Sequence, residues 1–152
     1  MSRQQGNRGA FLDMIAFSEG TARVPDSDDG YRVIVGGKTF ASYADHPRVL
    51  VDLGRGLKST AAGRYQLLAR YWDAYRRTLA LSDFGPASQD VVALQQIRER
   101  GALADIDAGR VSQAVAKVRN IWASLPGAGY GQREESLDKL VAAYRTAGGM
   151  VA

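Results

Sequence analysis

The chain has 152 residues, 45% apolar and 24% charged, a globular balance that fits a single domain over residues 1–152 with a sizeable core. It contains no cysteine and one histidine, which excludes thiolate chemistry and Cys-ligated zinc and argues against a zinc enzyme. A formal net charge of +4 suggests a polyanionic partner, either nucleic acid or an anionic envelope polymer, or serves solubility alone.

No apolar run approaches the length of a membrane span. Residues 1–10 are polar and lack an apolar h-region, so no signal peptide is expected and synthesis in the cytoplasm is. Residues 7–18 read as the first helix, because Phe11, Leu12, Ile15 and Ala16 recur at helical spacing and Gly20 is a stop signal. Glu19 stands where that helix ends. A carboxylate there faces the negative end of the helix dipole, and partial burial would raise its pKa further. A carboxylic acid kept protonated near neutral pH is what a general acid requires. Position alone favours an ordinary solvated Glu, so the surroundings must decide.

Residues 21–30 form a polar loop whose acidic cluster, Asp26, Asp28 and Asp29, lacks the oxygen spacing of a calcium-binding EF-hand. Residues 31–35, Gly36-Gly37 and residues 38–40 read as a β-hairpin with Tyr31, Val33 and Val35 on one face. Asp45-His46-Pro47 is a turn, and residues 52–58 read as a Gly-rich loop. Residues 59–81 carry a helical pattern through Tyr65, Leu68, Trp72, Tyr75 and Leu79. Pro86 starts the next helix with Ser88 as a possible cap, Val91, Leu94 and Ile97 as its stripe, and Gly101 as its end. Leu103 and Ile106 mark a short helical turn before Gly109. Val111, Ala114, Val115, Val118, Ile121 and Trp122 form another stripe. Residues 126–131 are a flexible loop, and Leu137, Leu140, Val141 and Tyr144 define a last helix. The pattern predicts an α+β fold: a mostly helical body with a small β-hairpin subdomain and a cleft at their junction.

Three groups of residues could carry chemistry. Ser59 to Gln66 combines small residues, Gly63 and an amide as a loop enters a helix. Gly63 permits close backbone approach, and Gln66 can donate to and accept from a sugar hydroxyl or acetamide, although a plain helix start with a Ser59 or Thr60 cap would look the same. Tyr130, within the Gly-rich segment 126–131, could be swung over a cleft, or the segment could be a plain connection. His46 has no nucleophile motif to serve and reads as structural or surface, while Trp72 and Trp122 read as core.

Several long blocks resemble the lambda-type bacteriophage endolysins. They are residues 11–21 (FLDMIAFSEGT), residues 31–37, residues 59–68 (STAAGRYQLL), residues 93–103 (ALQQIRERGAL) and residues 120–132 (NIWASLPGAGYGQ). The match covers nearly the whole chain and departs most in residues 22–29 and at both ends. The resemblance implies a lysozyme-like fold and a lytic transglycosylase that cleaves the β-1,4 bond between N-acetylmuramic acid and N-acetylglucosamine in peptidoglycan, leaving a 1,6-anhydro end. It implies Glu19 as the catalytic acid and base. Gln66 resembles the sugar-site Gln of the Gly-x-x-Gln region of bacterial lytic transglycosylases. Along the matched blocks, Tyr65, Ser59, Gly63, Val35, Asn120 and Tyr130 are the further candidate sugar-binding residues. Residues 49–58 and 126–139 resemble the two lips of the family's cleft.

One acid suffices for that reaction, because the muramic 6-hydroxyl is a tethered nucleophile. The expected partner is the glycan strand. No metal, cofactor, nucleic acid or stable membrane association is expected, and the chain is expected to act as a monomer held in the host cytoplasm until a separate phage protein permeabilises the membrane. The nearest alternative is a hydrolytic muramidase of the same fold. A more distant one is a basic nucleic-acid-binding module, motivated by Arg64, Arg70, Arg76, Arg77, Arg98, Arg100, Lys117 and Arg119 but lacking any recognition motif.

Overall fold

Helix α1 (Gly6–Glu19) buries Phe11, Leu12, Met14, Ile15 and Ala16, side chains that point in several directions around its axis. A helix apolar on more than one side must be enclosed by others. In the computed structural model, which describes residues 2, 4–131 and 133–152, the chain forms two compact units. The first comprises residues 1–19 and 90–152, the second residues 20–89. Helix α3 (Pro86–Glu99) carries the chain from the second back into the first.

In the first unit α1 packs against α4 (Leu103–Asp107) and α6 (Leu137–Thr146), and α5 (Val111–Val118) packs against both of those. Val92, Ile97, Ile106, Val115, Leu125, Leu140 and Tyr144 complete its core. The α4–α5 corner is fixed by Asp105, whose carboxylate meets Arg110 Nε at 2.7 Å and Lys117 Nζ at 2.6 Å. Helix α5 ends at Val118, so Ile121 and Trp122, expected on its stripe, fall in the turns that follow. Trp122 is nevertheless buried, as expected of a core residue. Ser88 is not the cap of α3. The carbonyl of Gly85 accepts the Gln89 N–H at 2.9 Å, and the Ser88 hydroxyl donates to Asp83 at 3.1 Å from within the helix.

The second unit departs more from the sequence reading. Its two-stranded antiparallel sheet is β1 (Val51–Gly54) paired with β2 (Leu57–Ser59), within the segment expected to be an irregular loop. The expected 31–40 hairpin is a tighter affair: a bridge between Val33 and Thr39 around the Gly36-Gly37 turn, with Phe40 N–H bonded to the Arg32 carbonyl at 2.9 Å. The other edge of that segment pairs with residues 61–63, through Val35 N–H to the Ala61 carbonyl at 3.0 Å and Gly63 N–H to the Val33 carbonyl at 2.8 Å. Helix α2 (Ala69–Thr78) begins only at Ala69, not at Ser59. Residues 62–67 fold back on themselves, Ala62 and Leu67 exchanging both backbone bonds at 3.0 and 2.8 Å. That reversal places Gly63 at φ 87° and Gln66 at φ 55°, left-handed values no α-helix contains.

Phe84 is the hub of this unit's core, its ring 4.9 Å from Trp72 and 4.9 Å from His46. His46 is buried and structural. Its Nδ1 accepts the Arg48 N–H at 3.0 Å, so Nε2 carries the proton and donates to the Leu67 carbonyl at 2.8 Å. Burial lowers its pKa below the ordinary 6.5, so the folded state favours the neutral ring. Stability from the neutral ring is therefore complete above about pH 6.5 and is lost as pH falls through the folded-state value. We expect the melting temperature to fall on acidification from about pH 7 to about pH 5, with a shallower slope in His46→Gln. Equal slopes in thermal melts of the two proteins would show that His46 does not carry this linkage. Two of the acidic cluster are likewise structural: Asp28 accepts from the Tyr43 hydroxyl at 2.6 Å, and the Asp29 carbonyl accepts from Arg64 Nε at 2.8 Å.

Candidate active site

Glu19 is the last residue of α1, and Gly20, at φ 79°, turns the chain out of the helix. The carboxyl is half-buried and accepts a short hydrogen bond from the Ser124 hydroxyl. Ser124 in turn lies 2.8 Å from the Ser18 hydroxyl. Since Ser124 gives its one proton to the carboxylate, Ser18 donates to Ser124, and the two hydroxyls form a directed chain ending on Glu19. The segment bearing Ser124 is fixed by its buried neighbours Trp122 and Leu125 and by the Glu135 N–H, which bonds the Ser124 carbonyl at 2.7 Å.

Burial raises the Glu19 pKa above the ordinary 4.5, while the Ser124 hydrogen bond and the positive charge of Arg133 pull the other way; the balance stays upward. Arg133 sits on the loop joining α5 to α6 and donates to the Ser18 carbonyl at 2.9 Å. Within this unit Glu134 and Glu135 are the nearby carboxylates on that loop. Glu134 accepts the Gly127 and Gly129 N–H groups at 2.9 and 3.1 Å, and Glu135 pairs with Arg133 at 3.2 Å. Asn120 and Tyr130 meet in the same loop, the exposed Tyr130 donating its hydroxyl proton to the Asn120 carbonyl at 3.1 Å. Gln132, the last residue of one matched block, lies outside the described residues.

The remaining candidates belong to the second unit. Gln66 is half-buried at the end of the 62–67 reversal, and its Nε2 donates to the Gly63 carbonyl at 2.9 Å and the Val33 carbonyl at 3.4 Å. With both nitrogen bonds made to backbone, the amide oxygen is left as the side chain's acceptor. Gly63 is buried, and the close approach it allows is made by Gln89: a Cβ there would lie 2.6 Å from Gln89 Oε1. Tyr65 is buried too, its ring edge-on to Tyr31 at 6.4 Å and its hydroxyl accepting from Arg64 at 3.2 Å. Ser59 and Val35 are linked through Ala61, whose N–H bonds Ser59 Oγ at 3.1 Å and whose carbonyl accepts from Val35. Residues 49–58 expose Leu50, Leu53 and Leu57 on the β1–β2 sheet and its flanks.

Sequence reasoning singled out Glu19 but missed Ser124 and Arg133. The only signal for Ser124 was its place within the NIWASLPGAGYGQ block, and Arg133 lies just beyond it.

The endolysin family model matches residues 9–151. The chain belongs to the endolysin family. The endolysin of Escherichia phage lambda is 62% identical over 146 residues, covering 95% of this chain and 92% of that protein. The endolysin of Escherichia phage P2 is 57% identical over 157 positions, covering 96% and 95%. Among solved structures, bacteriophage lambda lysozyme complexed with a chitohexasaccharide superposes with a TM-score of 0.95 at 59% identity, both chains covered in full. A second lambda lysozyme structure gives 0.91 at 58% identity, also over both full chains. The fold is thus the lysozyme-like α+β fold, and as a lambda-type endolysin this chain is a lytic enzyme acting on peptidoglycan.

Proposed function

We propose that this endolysin is a lytic transglycosylase, cutting the β-1,4 bond from N-acetylmuramic acid to N-acetylglucosamine with Glu19 as the single acid and base. The observation that carries this reading is the half-buried Glu19 carboxyl, biased toward its protonated form and oriented by Ser124, at the end of a buried helix. In the first step Glu19 donates its proton to the glycosidic oxygen as the C1–O bond breaks and positive charge develops at the muramic C1. The carboxylate left behind then takes the proton of the 6-hydroxyl on the same sugar as its oxygen bonds to C1. The proton is returned, no water is consumed, and the product ends in a 1,6-anhydro ring.

An intramolecular nucleophile brings a high effective molarity and removes the need for a second carboxylate to activate water. That fits the state of the neighbouring acids in the same unit, since Glu134 is tied to loop amides and Glu135 to Arg133. Glycan binding is carried over from the lambda lysozyme solved with a chitohexasaccharide. In the second unit we assign Gln66, with its free amide oxygen, to the sugar together with Ser59 and Val35; in the first unit we assign Asn120 and Tyr130.

Mass spectrometry of digested peptidoglycan tests the reaction type. Anhydro products are expected, lighter by roughly 18 Da, one water, than those of hydrolysis. Reducing ends alone would make the enzyme a hydrolytic muramidase.

A further inference from the structure

Helix α1 ends without the charge that would suit it. Its last turn holds no basic residue, although the final four carbonyls of a helix have no partner within it and attract cations. The missing cation comes from elsewhere in the chain. Arg133 Nη2 donates to the Ser18 carbonyl at 2.9 Å, one residue before Glu19.

Arg133 is itself held in place. Its Nη1 meets the Glu135 carboxylate at 3.2 Å, and the Glu135 N–H bonds the carbonyl of Ser124, the residue that donates to Glu19. Two more bonds, from Gly127 and Gly129 N–H to Glu134, tie the loop to itself just before Arg133. The loop therefore holds the end of α1 through Ser124, bonded to the Glu19 carboxyl and the Ser18 hydroxyl, and through Arg133 on the backbone behind them.

We propose that Arg133 is a positioning residue for Glu19, clamping the α5–α6 loop to the end of α1 and setting the charge felt by the catalytic carboxyl. The proposal deepens the transglycosylase reading and rests on Glu19 being its acid. Arg133 acts through the field at Glu19 and through the helix terminus, without touching substrate. Charged groups besides Arg133 on the loop and α6 include Arg119, beside Gly127, Glu134, turned to the loop amides, Glu135, paired with Arg133, Asp138, and Lys139, 3.8 Å from Glu135; Arg23 lies against Gly20. Arg133 is the cation whose field lowers the Glu19 pKa against the upward push of burial.

The test compares wild type with Arg133→Met, which keeps the stem and loses the charge, and Arg133→Lys, which keeps the charge and loses the fork. Arg133 is largely exposed, so both variants are expected to fold, as melting curves will verify. The Glu19 carboxyl is followed by NMR on protein labelled with ¹³C at the glutamate side-chain carboxyl, assigned through its absence in Glu19→Gln. In Arg133→Met its titration midpoint is expected to rise by about half a pH unit or more, with Arg133→Lys falling between that and wild type. The alkaline limb of the lytic pH profile, which reports loss of the protonated acid, is expected to move up with it. An unmoved midpoint in Arg133→Met, or one shifted equally far in Arg133→Lys, overturns the proposal. A shifted midpoint with an unmoved activity profile would leave the clamp standing and reject Glu19 as the catalytic acid, so the two failures are distinguishable.

Discussion

Replacing Glu19 by Gln is expected to lower turnover of peptidoglycan by about a thousandfold or more while leaving the fold intact. The size of the effect follows from the double use of one group. In the proposed mechanism the same carboxyl gives a proton when the glycosidic bond breaks and takes one when the anhydro ring closes. Removing it disables both steps, and the two carboxylates of the adjoining loop, Glu134 and Glu135, are engaged elsewhere. The amide is nearly isosteric, and its oxygen still accepts the Ser124 hydroxyl proton, so the packing around Trp122 and Leu125 has no reason to change.

The same substitution carries a stability signature that a generally damaged protein would lack. Burial raises the Glu19 pKa above 4.5 in the folded protein, so the folded state holds that proton more tightly than the unfolded chain does. The stability this contributes is complete below the unfolded value and is lost as pH rises through the folded value. Gln cannot ionise and escapes that loss. The melting temperature of Glu19→Gln should therefore match wild type near pH 4 and exceed it increasingly toward about pH 8. Near-normal lysis by a folded Glu19→Gln protein would remove the catalytic reading; a variant less stable than wild type at neutral pH would remove the account of the carboxyl's environment.

Why α1 and Glu19 were legible, while Ser124 and Arg133 were not, comes down to sequence distance. The helix announces itself within its own residues, through the spacing of Phe11, Leu12 and Ile15 and the glycine after Glu19. Helices α3, α4 and α6 were legible for similar local reasons, with Pro86, Gly101, Gly109 and Gly148 near their ends. The Ser124–Glu19 bond joins residues 105 apart, and the Arg133–Ser18 bond residues 115 apart. No periodicity records such contacts.

The second unit misled for two different reasons. Tyr65 and Leu68 fall in helical phase with Trp72 and Tyr75, yet Tyr65 is buried by a backbone reversal whose left-handed residues, Gly63 and Gln66, end the helical path. Gly63 signalled this possibility, but left-handed Gln66 carries no signature at all. The β1–β2 sheet escaped notice because neither strand has a buried face: Leu53 and Leu57 are exposed, so no inward–outward alternation marks the pair.

Among single side chains of the second unit, Gln89 is expected to be the most costly to remove. It is buried, and all three of its bonds go to backbone: it accepts from Arg64 N–H at 2.8 Å and donates to the carbonyls of Tyr31 at 3.0 Å and Phe84 at 2.8 Å. One amide thus holds the Gly63–Gln66 reversal, the 31–35 segment and the entry to α3 together. Gln89→Leu keeps the bulk but orphans one donor and two acceptors, each worth about 1–3 kcal/mol when left unsatisfied away from water. A loss of about 3–5 kcal/mol is expected in denaturant melts, with activity falling as the loop that bears Gln66 loosens. Gly63→Ala attacks the same joint from the other side, because its Cβ would meet Gln89 Oε1 at 2.6 Å and Phe84 Cζ at 3.0 Å in a backbone at φ 87°. If Gln89 and Gly63 act as one joint, truncating Gln89 to Ala relieves part of the Gly63→Ala clash, and the double variant is more stable than the sum of the singles by roughly 0.5–3 kcal/mol. Strictly additive losses would mean that the strain at Gly63 lies in its backbone angle alone and that Gln89 holds the reversal by hydrogen bonds without packing against it.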